Sequence, residues 1–320
     1  MPRFLLIIVA LVLAIGLTPA AWGQSDYPSR PITFLVGYPP GGLSDLTARA
    51  IAKAAEKALG QPIIVTNKPG ASSSLQMGLL AQAKPDGYTI GYMPAAAVAV
   101  LPHVQKVSYE PTRDFTPIVN LFNYAAALVV REDAPWKSVK PFVEFARQNP
   151  GQVKYGTYGA HGTTTLVMEA WAQQVGVKWD TVPFKSDADA VTGLLGGHIT
   201  AAASASFYAQ HVRSGKLRIL VFLGDGKAPD YSAVPTLKEL GYPLVAEGFV
   251  GIGGPKGLPE PIVARLEEAF VQATRDEEYQ ALMTKLALAN QVMRAREFAV
   301  FLRETFAFHG EMIRKVGAKP

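Results

Sequence analysis

Short apolar runs alternate with amphipathic helical stretches from residue 31 to residue 317, and this alternation restricts the chain to an α/β fold. A strand followed by a helix returns to its sheet through a crossover, which argues for a parallel sheet covered by helices on both faces. "ITFLVGY" (32–38) reads as a buried strand. Between Leu43 and Leu59, the apolar residues Leu43, Leu46, Ala50, Ile51, Ala54, Ala55 and Ala58 recur at helical spacing, and Gly60 stops the helix. A strand over 62–68, a helix over 72–83 and a turn feeding a strand over 85–93 complete a first series.

A second series begins near 127–133. Helices are expected over 139–149, 164–176, 187–197 and around 208–215, with strands over 153–158, 179–185, 199–206 and 217–224. Helices over 259–275 and 296–317 close the chain. At 320 residues the chain exceeds what one compact core usually holds, so two lobes are expected. The tail needs a surface to cover, and the simplest arrangement returns it to the first lobe. Residues 24–125 with 249–320 then form lobe 1 and residues 126–248 form lobe 2, with hinge crossovers near 126–131 and 246–252.

Residues 1–23 stand apart from this pattern. Arg3 precedes an apolar run from Phe4 to Leu17, and small residues follow, as in a secretory signal peptide. Cleavage falls after Ala21 or after Gly23. The run is short for a membrane span, which needs about 20 residues. No later stretch is long and apolar enough to cross a bilayer. The exported chain is therefore expected to be periplasmic and to have no stable membrane insertion. It contains no cysteine, so disulfides, thiol chemistry and a lipid anchor are excluded. The net charge of +5 carries no dense Lys/Arg block, which argues against nucleic acid and suits steering of small anions.

Two Gly-rich strand-to-helix turns stand out. In "VGYPPGGLSDLTARA" (36–50), neither G-x-G-x-x-G nor G-K-[ST] occurs, so the dinucleotide and phosphate fingerprints fail. What remains is a helix N-terminus with free N–H groups, a ready seat for an anion, or else a plain capped connection. Gly41 and Gly42 allow close approach to the backbone, Pro39 and Pro40 stiffen the turn, and Ser44 and Asp45 are placed to cap the helix. "YGTYGAHGTTTLVMEAW" (155–171) repeats the logic, with Gly159, Gly162, the hydroxyls of Thr163, Thr164 and Thr165, and His161. By itself His161 reads equally as a surface loop histidine. In open α/β sheets ligands sit beyond the strand C-termini, so two facing lobes would present two helix N-termini to one cleft. That suits a small carboxylate, including one with an acid group at each end. Tyr38, Tyr92, Tyr158, Phe184 and Phe207 either stack on an aromatic acid or fill the cleft walls.

Enzyme signatures are scarce. There is no G-x-S-x-G, S-x-x-K or H-E-x-x-H, and His103, His161, His198, His211 and His309 are scattered. No catalytic residue, metal site or cofactor is indicated. Asp187 and Asp189 are expected to cap and decorate the helix after Lys185.

Six strings, taken together and in order, resemble the Bug family of extracytoplasmic solute receptors, the binding components of tripartite tricarboxylate transporters. They are "PITFLVGYPPGGLSDLTARAIA" (31–52), "LGQPIIVTNKPGA" (59–71), "AKPDGYTIGYMP" (83–94), "VPFKSDADAVTGLLGGHI" (182–199), "GKLRIL" (215–220) and "VPTLKELGYP" (234–243). The resemblance implies a two-lobed periplasmic-binding-protein-like fold, each lobe a mostly parallel sheet flanked by helices. It implies a monomer that closes on one organic acid anion, mono- or dicarboxylate, and delivers it to a large and a small membrane subunit. The alternatives are an exported enzyme acting on a carboxylic acid and a ligand-sensing receptor for a sensor kinase.

Carried over residue by residue, the first loop supplies Tyr38, Pro40, Gly41, Gly42, Leu43, Ser44 and Asp45 as ligand-binding candidates, and the turn after "GYM" supplies Ala95 and Ala96. The second lobe supplies Tyr158, His161, Gly162, Thr163 and Thr164, with Ser186, Asp187 and Ala188 from the next helix start and Ser204 from the strand at 199–206. The family's usual Gly-Ser-x-x-His-Leu is replaced here by a loop in which Gly162 stands for the serine and Thr165 for the histidine. The acid group is therefore held differently here than in relatives that keep that pattern.

Overall fold

A computed structural model describes residues 27–316, apart from 159–161, 225–226, 228–230, 247 and 287. The signal-peptide reading and His161 lie outside the described residues. In chain order the strands are β1 (Ile32–Val36), β2 (Ile63–Asn67), β3 (Thr89–Pro94), β4 (Phe115–Asn123), β5 (Ala127–Arg131) and β6 (Lys154–Tyr158). They continue as β7 (Asp180–Phe184), β8 (Ala201–Ser204), β9 (Leu217–Phe222), β10 (Phe249–Pro255) and β11 (Ala289–Arg294). The helices are α1 (Leu43–Leu59), α2 (Ser74–Ala81), α3 (Leu101–Val104), α4 (Val139–Gln148), α5 (Thr163–Val175) and α6 (Asp187–Leu195). They end with α7 (Tyr208–Arg213), α8 (Glu260–Ala273), α9 (Glu277–Lys285) and α10 (Ala295–Val316). Among the described residues no helix is long and apolar enough to cross a membrane.

The strands form two sheets, one in the order β11-β4-β10-β3-β1-β2 and the other β7-β6-β8-β5-β9. The two-lobed α/β architecture is therefore as expected, but the sheets are mixed and not mostly parallel. β10 runs antiparallel to both β3 and β4, β11 is antiparallel to β4, and β5 is antiparallel to both β8 and β9. The reason is the double crossing. β4 ends where the lobes meet, so β5 starts there and must run away from the junction. β9 leads back toward the junction, and β10 likewise starts there and runs outward. Over 126–131 and 246–252, where crossovers were expected, the structure has the whole of β5 and the beginning of β10.

β4 escapes the strand reading because Pro117 interrupts it and proline lacks a ladder donor. The sheet accommodates the proline through a register shift at Ile252/Gly253 of β10. The segment 96–104, a π-helical turn running into α3, also carries no periodic signal, because nearly all of it is apolar.

Each lobe buries its own aromatic centre. In the first, Phe34 of β1 meets Tyr92 of β3 edge-on at 4.8 Å and Phe270 of α8 at 6.1 Å. α1 covers this face with Ala48, Ile51, Ala52, Ala55 and Leu59. Full burial of a side chain such as Ile51 contributes roughly 1.5–3 kcal/mol. In the second lobe, Trp171 of α5 packs on Trp179 at 5.3 Å, and Tyr155 and Phe142 join them. α10 lies against β4, β11 and the 96–104 segment and also touches α5.

Candidate functional site

The two sheets aim their strand ends at one place. A cavity partly open to solvent is lined by Tyr38, Pro39, Gly42, Leu43, Ser44, Pro94, Tyr124, Tyr158, Ser186, Asp187, Ala205 and Val250. These residues follow or end β1, β3, β4, β6, β7 and β8, and Val250 belongs to the start of β10. This is the position that open α/β sheets reserve for ligands.

On the first-lobe side, α1 begins at Gly42, whose side supplies no cap, and the first intrahelical bond runs from the Leu46 N–H to the Gly42 carbonyl at 3.0 Å. The N–H groups of Leu43, Ser44 and Asp45 therefore have no partner inside the helix. Together with the positive end of a 17-residue helix, they make an anion seat beside the cavity.

Asp45 does not cap this helix and does not line the cavity. Its buried carboxylate turns back, accepting from the Gly41 N–H at 2.9 Å and Asn67 Nδ2 at 2.9 Å and pairing with Arg49 at 2.8 Å. Asn67 Nδ2 also donates to the Tyr38 carbonyl at 3.0 Å. Burial would raise the Asp45 pKa, but Arg49, the Gly41 N–H and Asn67 outweigh it and hold the group below the ordinary carboxylate value. Gly41 sits at φ +81°, a turn conformation that other residues adopt only with strain. Asp45 is thus the staple that fixes the loop's shape, with Asn67 as a partner that no sequence signal distinguished.

On the second-lobe side, the helix that reaches the cavity is α6. Ser186 caps it, accepting from the Asp189 N–H at 3.2 Å and donating to Asp189 Oδ2 at 2.8 Å. Asp187 is not a surface decoration. It is buried, and its Oδ2 accepts from the N–H groups of Ala205, Ser206 and Phe207 at 3.2, 3.0 and 3.1 Å. Burial pushes its pKa up, and the backbone donors pull against that.

Tyr158 of β6 and Tyr124 of the crossover form the far wall, their hydroxyls 2.9 Å apart, with the Tyr38 ring 6.5 Å from that of Tyr158. Burial raises the pKa values of Tyr38 and Tyr158, so these phenols stay protonated at neutral pH.

Of the residues expected in the site, Tyr38, Gly42, Leu43, Ser44, Tyr158, Ser186 and Asp187 share the cavity. Pro40 and Gly41 are on the exposed outer side of the loop. Ala95 and Ala96 are buried behind Pro94. Gly162, Thr163 and Thr164 are buried at the start of α5, where the Thr164 hydroxyl is hydrogen-bonded to Thr157 Oγ1 at 3.0 Å. Ala188 is half-buried in the first turn of α6, and Ser204 is buried at the end of β8. Tyr92 belongs to the core, its hydroxyl donating to Thr47 Oγ1 at 3.3 Å.

Pro39 and Pro94 lie in the two first-lobe turns already singled out, whereas Tyr124, Ala205 and Val250 were missed. They carry no local signal, because only the meeting of the two sheets brings them together.

A profile described as the tripartite tricarboxylate transporter family receptor matches residues 47–318. The chain is 36% identical over 312 residues to the UPF0065 protein in the gbd 5′ region of Cupriavidus necator, covering 97% of this chain and 95% of that protein. Among solved structures, the periplasmic binding protein BugD superposes with a TM-score of 0.81 at 26% identity, covering 92% of this chain and 99% of that one. MatC from Rhodopseudomonas palustris with bound malate superposes with a TM-score of 0.80 at 26% identity, covering 90% and 100%.

Proposed function

The chain belongs to the tripartite tricarboxylate transporter receptor family, and from that premise we propose that it is a periplasmic receptor capturing one small organic carboxylate in the cavity between its sheets. The observation that carries this reading is the uncapped N-terminus of α1, whose unpartnered N–H groups open beside a cavity shared by both lobes. Burying a carboxylate requires donors to replace its water, and the backbone N–H groups of Leu43 and Ser44 supply them. MatC, solved with malate, is a relative whose ligand has this chemistry.

Residues 24–125 with 249–320 move as one lobe and 126–248 as the other, hinged where the chain crosses into β5 and into β10. Ligand binding favours the closed form because only that form brings both lobes' walls to the ligand. The closed receptor then delivers its ligand to a large and a small membrane subunit. The work is capture and release, with no bond made or broken.

The test is a thermal-shift screen of organic acids followed by calorimetric titration. At least one small carboxylate raises the melting temperature and binds one per chain. Gly42→Val is the companion variant. A Cβ at Gly42 meets only the Pro39 carbonyl, at 3.4 Å, so the fold tolerates the change while the added methyls crowd the anion seat. Affinity falls at least tenfold in a variant that still unfolds cooperatively, its melting temperature lowered only by the weaker N-cap. A screen with no stabilising acid, or a Gly42→Val protein that binds as well as the original, refutes the reading.

A further inference from the structure

Capture of a carboxylate at α1 leaves Asp187 unexplained. This residue is the first of α6, is 5% exposed and lines the cavity. Its Oδ2 is saturated by the N–H groups of Ala205, Ser206 and Phe207, whereas its Oδ1 is buried with no hydrogen-bond partner. A buried carboxylate oxygen without a donor is costly, and that cost is removed when a donor arrives from outside.

The Ser204 hydroxyl, buried at the end of β8, favours the charged carboxylate but leaves Oδ1 without a hydrogen bond, and the other neighbouring hydroxyls are engaged. The Ser186 hydroxyl both donates to and accepts from Asp189, and the Tyr124 and Tyr158 hydroxyls bond to each other. Among the described residues no lysine, arginine or histidine lines the cavity to balance two negative groups. Burial pushes the Asp187 pKa up, and the three backbone donors, the Ser204 hydroxyl and the helix N-terminus work against that in favour of the ionised carboxylate. The negative end of this clamp is therefore already supplied by the chain itself.

Resting on the carboxylate reading above, we propose that the ligand is a small monocarboxylate bearing a hydroxyl or ammonium donor. Its acid group sits at α1 and its donor fills Asp187 Oδ1. A dianionic dicarboxylate is disfavoured, because its second acid group meets Asp187 with the wrong sign and no proton to give.

The experiment is calorimetric titration at pH 7 with matched straight-chain acids of three to six carbons, ending in methyl, hydroxyl, ammonium or carboxylate. The wild-type protein binds the hydroxyl or ammonium member of its preferred length at least tenfold more tightly than the methyl and carboxylate members. In Asp187→Asn the amide oxygen takes over the three N–H groups and the NH₂ turns to the cavity. That variant loses the preference and binds the dicarboxylate at least tenfold more tightly than wild type does. A wild-type protein that binds the dicarboxylate as tightly as the hydroxy or amino acid overturns the proposal and leaves carboxylate capture standing. That comparison decides the matter even if the variant fails to fold. Ratios unchanged within twofold in a folded Asp187→Asn protein also overturn it. Failure of the wild type to bind any member overturns the carboxylate reading itself, and this inference with it.

Discussion

Gly248→Ala tests whether the crossover wall of the cavity matters. Gly248 sits beside the crossover, and its carbonyl accepts from the Tyr124 N–H at 2.8 Å. A Cβ at this glycine lies 2.0 Å from Tyr124 Cε2, 2.3 Å from Cζ and 2.4 Å from Cδ2. Its φ is not in the left-handed region, so the substitution adds no backbone strain and isolates the steric effect. The ring must retreat by more than an ångström to restore ordinary contact. Tyr124 is 9% exposed and its hydroxyl is bonded to Tyr158, so any retreat breaks that bond or distorts the cavity.

Overpacking costs about 1–3 kcal/mol. Loss of the phenol pair's bond adds about 0.5–1.5 kcal/mol. If about 2 kcal/mol of this falls on the ligand-binding form, affinity drops roughly 30-fold. The assay is calorimetric titration with the acid that most stabilises the wild type, alongside thermal unfolding followed by circular dichroism. Tyr124→Phe is the control, because it removes only the hydroxyl and should cost tenfold or less. A Gly248→Ala protein that binds within twofold of wild type, at an unchanged melting temperature, refutes the reasoning.

Three further outcomes follow from the same geometry. Asp45→Asn loosens the loop ahead of α1 by about 2 kcal/mol, the worth of charge-assisted hydrogen bonds. Because the folded Asp45 pKa is depressed, that stability exists above the unfolded value and is lost as pH falls through the folded one, so the melting-temperature gap from wild type closes below about pH 4. His309, fully buried with Nδ1 2.9 Å from the Thr305 carbonyl, has its pKa pushed down to about 4, chiefly by burial. The unfolded chain takes up this proton near pH 6.5, so stability falls by up to about 3 kcal/mol as pH drops from about 6.5 to 4, and His309→Leu flattens that part of the melting-temperature profile. Trp171→Ala removes a fully buried ring from the second lobe's aromatic cluster and costs about 3–5 kcal/mol, read from denaturant unfolding.

The local elements and one half of the site were legible before any tertiary contact was known. The helical spacing from Leu43 to Leu59 gives α1 with its observed ends, since apolar periodicity and a following glycine are sufficient to specify an exposed-face helix. The Gly-rich turn before it was legible as an anion seat because the chemistry of a helix N-terminus is local. Strand direction was not legible. Parallel pairing follows from helical crossovers, but β5 and β10 enter their sheets at the lobe junction without one, and only the double crossing makes them antiparallel.

The second half of the cavity was equally a tertiary decision. The loop before α5 and the loop before α6 carry similar local signals, and the fold buries the Thr164 hydroxyl on Thr157 while turning Ser186 and Asp187 to the cavity. Asp187 reads as an ordinary first-turn carboxylate, because one in a helix's first turn is usually solvated. The loop of Ala205, Ser206 and Phe207 folds over it, takes one oxygen and leaves the other bare beside the cavity. Contacts between residues some 20 positions apart in sequence, and between the two sheets, decide which side chains a ligand meets. No periodicity records them.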